Sequence, residues 1–466
     1  MKEKITFGIT LYCILTVTGG LTAPLLAQSS PTPQPNTNQI NVDNLLKQGQ
    51  DKAKNGDFKG AVEIYTQILK QNANFAPAYY NRGLAKYALE DYKGAIEDYS
   101  QVVRINPQDI DAYINRGIAR RRLGNNQGAI ADYTQAIKIN PKLPGAYYNR
   151  GNARRLTGDN KAALEDYNQA ILLDPNDTNA YINRGNTLSL LGDFQKAIDD
   201  YSQALRLNPK DSNTYFNRGN ARRSQGDNPG AIEDYTKTIE INPKDSAAFT
   251  NRGLAKASLG NYKAAIDDYS QSLIINPKDA KTYIYRGLSK AVLGEHKDAL
   301  TDYEKALTFN PKDATAYFSR GISKYRLDDK EAAIKDYDKA LELNPNYLIV
   351  YLNRGLAKNS IGQPKAALED FNKAIEKNPK YAEAYNNRGL IKLRLGDAQA
   401  AVNDYSEAIR LNPNYANAYI NRGLANYNLG EKAKAIEDIQ KGAQLYRDQG
   451  NTANYQKTQD LLKKIQ

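Results

Sequence analysis

The stretch APAYYNRGLAKYALEDYKGAIEDYSQVVRINPQD, Ala76 to Asp109, decides the fold, because its pattern returns every 34 residues to the end of the chain. The centre of the pattern is Asn-Arg-Gly, with glycine at Gly83, Gly117, Gly151, Gly185, Gly219, Gly253, Gly287, Gly321, Gly355, Gly389 and Gly423. A weaker copy around Gly49 makes twelve repeats. With Ala76 as position 1, position 4 is aromatic in eleven copies, position 20 is Ala in all twelve, and position 24 is Tyr or Phe in eleven. These columns follow helical spacing rather than strand alternation. Small residues at 8 and 20 facing large ones at 4 and 24 predict two antiparallel helices in close approach.

The punctuation fits a helix–turn–helix unit. Gly at position 15 in ten copies supplies a left-handed residue to end the first helix. Asn-Pro at positions 31 and 32 stops the second. Asp at position 34, as in Asp109, Asp177, Asp211, Asp245, Asp279 and Asp313, is placed to cap the helix that follows. Residues 42 to 449 thereby resemble the tetratricopeptide repeat family, with Tyr where that family often has Trp and Arg at position 7 where it often has Leu. The resemblance implies an all-α fold: a right-handed superhelical solenoid of twelve 34-residue repeats. Residues 450–466, with Tyr455, Leu461, Leu462 and Ile465 at helical spacing, read as a capping helix over the last repeat.

Ahead of the repeats the chain has another character. Lys2 and Lys4 precede an uncharged run from Ile5 to Ala27, so residues 1–27 read as a secretory signal peptide cleaved after Ala27. An uncleaved anchor helix is the alternative, since the run is long enough to span a membrane. The single cysteine, Cys13, lies inside the run without the small residues that precede a lipidated cysteine. The expected chain from Gln28 is therefore secreted or periplasmic, has no cysteine and no stable membrane insertion, and folds without disulfides. Residues 28–41, polar and proline-bearing, read as a linker.

Composition narrows the chemistry. The chain of 466 residues carries a net charge of +12, 34 Tyr, no Trp and one histidine, His296, which sits at position 17 and reads as surface. The tyrosines need no ligand, because positions 4 and 24 absorb twenty of them as core. No catalytic constellation, metal site or phosphate-cradling glycine loop is present, so neither enzyme activity nor a cofactor is expected. Arg at position 7 and Asp at position 23 occur in the same eleven copies and suggest a solvated ion-pair ladder along the array, with Lys or Arg at position 11 in nine of them. Because that column of acids neutralises most of the basic charge, and a secretion signal is present, nucleic-acid binding is not expected.

Binding is expected instead on the first helices. The resemblance implies that positions 2, 5, 6, 9, 12 and 13 line a concave groove. Position 6 is Asn in nine copies: Asn81, Asn115, Asn149, Asn183, Asn217, Asn251, Asn353, Asn387 and Asn421. Such amides either hold an extended peptide's backbone or bond the backbone of the neighbouring repeat. Position 12 is arginine at Arg121, Arg155 and Arg223, with Arg122 adding a charge at position 13, while Ile114, Ile118, Tyr148 and Phe216 at positions 5 and 9 keep the groove partly apolar. The expected function is a non-catalytic interaction scaffold that binds an extended, acidic peptide or protein segment, resembling the Asn-Arg-Gly-type repeat proteins common in cyanobacteria. The alternative is an accessory subunit that recruits an enzyme of envelope or polysaccharide assembly. The oligomeric state is not legible in the sequence.

Overall fold

The computed structural model describes residues 37–465, which form twenty-five helices, α1 (Thr37–Lys54) to α25 (Thr452–Ile465). The expected signal peptide at 1–27 and most of the linker lie outside the described residues. The linker is nonetheless shorter than expected, since α1 begins at Thr37 and takes in residues 37–41. No helix among the described residues is long and apolar enough to cross a membrane.

Each complete repeat folds as anticipated. Its first helix occupies positions 1 to 13 and its second positions 17 to 30, as in α7 (Pro144–Leu156) and α8 (Asn160–Leu173). Position 15 has positive φ throughout: +84° at Gly158, and even where the glycine is replaced, 61° at Glu90 and 67° at Asp328. All six aspartates at position 34 accept a backbone N–H from the helix they precede. A second cap, not read from the sequence, is Asp at position 16: Asp91 accepts from Gly94 N and Asp227 from Gly230 N, opening the second helices. Asparagine at position 31 does more than precede proline, because its side chain accepts the N–H two residues on, as between Asn208 and Lys210, and turns the chain toward the next repeat.

Packing follows the small and large columns. Every alanine at position 20 is fully buried. The space that a side chain at position 8 would occupy holds the ring edge of the residue at position 24: a Cβ on Gly219 would lie 2.8 Å from Tyr235 Cε1, and one on Gly355 2.7 Å from Phe371 Cε1. The aromatic at position 4 differs from the expectation. Except at Tyr351 it is half-buried rather than core, for a reason given below.

The helices divide into two compact units, residues 1–125 and 126–466. The described part of the first holds α1 to α5 (Ile110–Arg122), with a core of Tyr65, Ile68, Leu69 and Ala78. The second holds α6 (Asn126–Ile139) to α25, in which each helix packs on the next to build an α-solenoid. Its end is closed as expected: Leu462 and Ile465 of α25 pack on Ile439, and Tyr455 packs with Leu445 and Tyr446 of α24 (Lys432–Asp448).

Candidate functional site: the first-helix face

The arginine and aspartate columns do not form the solvated ladder that the sequence suggested. All eleven aspartates at position 23 are buried, between 1% and 7% exposed. In the second unit Arg150 grips Asp166 with Nε and Nη2, the latter at 2.7 Å, while Arg154 at position 11 reaches the other carboxylate oxygen at 2.9 Å. The pair lies within one repeat, and the third arm of the guanidinium leaves it. Nη1 of Arg150 donates to Thr134 Oγ1 at position 25 of the preceding repeat, Arg184 to Asn168, and Arg218 to Ser202. In the first unit Arg82 does the same with Asp98 and Thr66. Every arginine of the column also lies 5.3–5.6 Å from the ring centre of its own position-4 aromatic, which holds that ring out beside the charge instead of deep in the core. These residues join helix to helix and repeat to repeat, and their charge is spent on one another.

The asparagines of position 6 follow a rule that the repeat unit alone does not contain. Where the preceding first helix offers a hydroxyl or amide within reach, the asparagine bonds it: Asn115 donates to Tyr80 Oη, Asn183 to Tyr148 Oη, Asn217 to Asn186, Asn251 to Asn220 and Asn421 to Asn386. Asn81 and Asn353, which follow Leu46 and Phe318 at position 5, turn to their own helix instead, Asn81 to the Pro77 carbonyl and Asn353 to that of Ile349. Asn387 accepts from its neighbour Asn386, and Asn149 is half-buried. Where the amides join repeats, their partners are thus side chains of the neighbouring first helix and not its backbone, as one of the two sequence alternatives had it.

Repeats 4 to 6 of the second unit stand apart, and they do so through residues that the sequence reading passed over. Their position 9 carries Asn152, Asn186 and Asn220, against Leu or Ile in repeats 2, 3 and 7 to 12. The buried hydroxyls of Tyr167, Tyr201 and Tyr235 each donate to the Oδ1 of these amides at 2.8 Å. Oδ1 of Asn186 and of Asn220 accepts a second bond from the position-6 amide of the next repeat. With the oxygens so engaged, the Nδ2 groups remain as donors along α7, α9 (Thr178–Leu190) and α11 (Ser212–Ser224). The signal was in the sequence as asparagines in three consecutive repeats of a column that is aliphatic in repeats 2, 3 and 7 to 12, but their bonding to the position-24 tyrosines depends on the hydroxyl emerging beside the position-8 glycine.

Beside these amides stand Arg155 and Arg223. Burial pushes the Tyr167 hydroxyl up to about 12 against the opposing pull of Arg155 alongside, and Arg223 opposes the same effect on Tyr235. The Nε of each arginine is buried with no hydrogen-bond partner. No carboxylate among the described residues pairs with either, in contrast to Arg150, Arg154, Arg184, Arg218 and Arg222 in the same repeats. Arg121, whose Nε is likewise buried and unpartnered, and Arg122, which donates to Tyr87 Oη, belong to the first unit. The expected patch thus falls into two parts on separate units. His296 is half-buried rather than on the surface, with its Nδ1 enclosed and unpartnered. Among the described residues no three His, Cys, Asp or Glu side chains gather as they would to hold a metal ion.

A family profile described as Tetratricopeptide repeat matches residues 76–109, 178–211, 246–279 and 314–347. Another, described as TPR repeat, matches 119–158, 151–192, 219–260, 292–328, 358–396 and 391–430, and a third, again Tetratricopeptide repeat, matches 416–453. Among solved structures the chain is similar to MamA at 26% identity, over 35% of this chain and 96% of that one, with a TM-score of 0.34. It is similar to a tetratricopeptide repeat protein from Parabacteroides merdae at 24% identity, over 53% and 98% of the two chains, with a TM-score of 0.44. It is similar to yeast Tom70 at 16% identity, over 92% and 96%, with a TM-score of 0.41. No curated relative matches the chain.

Proposed function

As the chain belongs to the tetratricopeptide repeat family, an array of helix pairs that serves protein–protein interaction, we propose that it is a non-catalytic scaffold that takes up an extended, acidic protein segment on the first-helix face of repeats 4 to 6. The observation that carries this reading is that Arg155 and Arg223 have tyrosine hydroxyls, Tyr167 and Tyr235, beside them and no carboxylate. Every other arginine on the first helices of these repeats is matched by a buried aspartate, so two guanidinium groups without a carboxylate are where an acidic ligand gains a charge-assisted bond. The Nδ2 donors of Asn152, Asn186 and Asn220 suit the carbonyl oxygens of an extended backbone, which any sequence presents. Charge then selects and amides hold.

The same reading places the scaffold outside the cytoplasm. Lys2, Lys4 and the uncharged run to Ala27 support export, and N-terminal sequencing of the exported protein is expected to begin at Gln28. A product beginning at Met1 and retained in the membrane would establish the anchor instead.

The functional test is charge reversal. Arg155→Glu together with Arg223→Glu should weaken capture of an acidic peptide at least tenfold, about 1.4 kcal/mol, with unchanged helicity. Lysines of position 11 are poor controls, because Lys358 and Lys392 hold buried Asp370 and Asp404. Lys161→Glu with Lys263→Glu, both exposed on second helices, is the matched pair. Equal loss in both pairs, or loss in neither, would reduce Arg155 and Arg223 to solvated surface.

A further inference from the structure

The last turn of the first helices in repeats 4 to 6 has an order that the charge alone does not explain. Along α7, α9 and α11, positions 12 and 13 read Arg155-Leu156, Ser189-Leu190 and Arg223-Ser224. Leu156 is 52% exposed and Leu190 68% exposed, and no other large apolar residue of either helix is exposed. A lone exposed leucine needs no explanation. Here one stands beside Arg155 and the other on the helix between Arg155 and Arg223, the two first-helix guanidinium groups of these repeats that lack a carboxylate, and Leu190 forms an apolar step between two cationic ones.

The spacing of the steps can be read from the contacts. Asn183 of α9 donates to Tyr148 of α7 at 2.9 Å, and Asn217 of α11 to Asn186 of α9 at 3.3 Å, so successive first helices touch. Touching helices have axes about 8–10 Å apart, which sets Arg155 and Arg223 roughly 16–20 Å from one another along the face. A chain extended in the polyproline II conformation rises about 3.1 Å per residue, so that separation corresponds to about five or six residues, and its three residues per turn bring the first, fourth and seventh to one side. Its midpoint falls over α9, where Ser189 brings no charge and Leu190 stands clear of the protein.

We propose that the segment bound by repeats 4 to 6 carries two carboxylates about six residues apart with one apolar side chain midway between them, the acids meeting Arg155 and Arg223 and the apolar group seated against Leu190 and Leu156. This rests on the reading of the face as an acceptor of acidic segments, and gives that reading a sequence rule. The amides of Asn152, Asn186 and Asn220 hold the backbone between the three contacts without constraining the intervening residues.

The rule is tested on the full chain with labelled synthetic peptides in fluorescence anisotropy. The spaced peptide contains Asp-Ser-Ser-Leu-Ser-Ser-Asp; a second has the same composition with the two aspartates adjacent; a third replaces the leucine by serine. The spaced peptide is expected to bind at least tenfold more tightly than either. Leu190→Ser, at a site already exposed, should remove the advantage of the spaced peptide over the leucine-free one and leave the leucine-free one unchanged. If all three peptides bind alike and lose binding on Arg155→Glu with Arg223→Glu, the acidic-segment reading stands and the spacing rule is overturned. If none binds, or if arginine reversal is without effect, both are overturned.

Discussion

At the scale of single residues, the aspartate of position 23 carries the largest electrostatic consequence. A carboxylate nearly out of solvent is tolerable only with its cations in place, and removing one partner of such a pair typically costs about 3–5 kcal/mol. Nine repeats provide this aspartate with the position-7 arginine and a second cation at position 11, whereas repeat 5 has Leu188 there and repeat 12 has Asn426, whose amide stands in as a donor to Asp438. Asp200 of repeat 5 therefore has Arg184 alone, and burial holds its carboxyl above the ordinary carboxylate range despite that arginine. An acid whose folded value is raised loses stability as pH climbs from its unfolded value through its folded one, because the folded state resists ionisation. Carboxyl NMR titration should find Asp200 above the ordinary value and Asp193, which Lys196 holds down, below it. Leu188→Lys should draw Asp200 downward and leave Asp193 where it is. An unmoved Asp200 would mean that the fifth repeat has another means of balancing its charge.

At the scale of the helix pair, the contact between the position-8 glycine and the position-24 ring sets how closely the two helices lie. Gly219→Leu in mid-array must displace the Tyr235 ring, whose edge already fills the site, and with it the hydroxyl that reaches Asn220. The expected loss is about 1–3 kcal/mol in thermal or urea unfolding, from overpacking. An unchanged midpoint would place position 8 outside the interface. This level was readable in advance because its determinants recur from copy to copy: the glycine turn, the alanine column, the position-34 cap. What escaped reading has a common physical cause. Arg150 is sixteen residues from Asp166 in one direction and from Thr134 in the other, and only packing shows that the first is a buried ion pair and the second a link between repeats. Asn81 and Asn115 share the triplet Asn-Arg-Gly yet bond differently, because Asn115 has Tyr80 on the preceding first helix and Asn81 has Leu46 at the corresponding place. A column in an alignment of repeats describes one unit; the asparagine answers to the unit before it.

At the scale of the whole molecule, stability is a sum of repeats and of the joints between them, and the twelfth repeat is covered by α25. Removing residues 450–466 would uncover Ile439 together with its neighbours Leu445 and Tyr446. The truncated chain should bind a hydrophobic dye and lose helicity first at its C-terminal end, as read by hydrogen exchange; protection equal to that of the full chain would show α25 to be dispensable. The joints themselves have a further consequence. The arginine of position 7 asks of the repeat before it only an acceptor at position 25, and Thr134, Asn168, Ser202, Thr236, Ser270, Asp338, Asn372 and Ser406 all meet that demand. The units are therefore interchangeable parts. Were residues 246–279 excised in frame, Arg286 would exchange the hydroxyl of Ser270 for that of Thr236, and the coupling would be made in the same chemistry. Array length is thus open to inheritance by gain or loss of whole 34-residue modules, with no retooling of the joints, while the order Arg155, Leu190, Arg223 survives only where three particular modules remain consecutive.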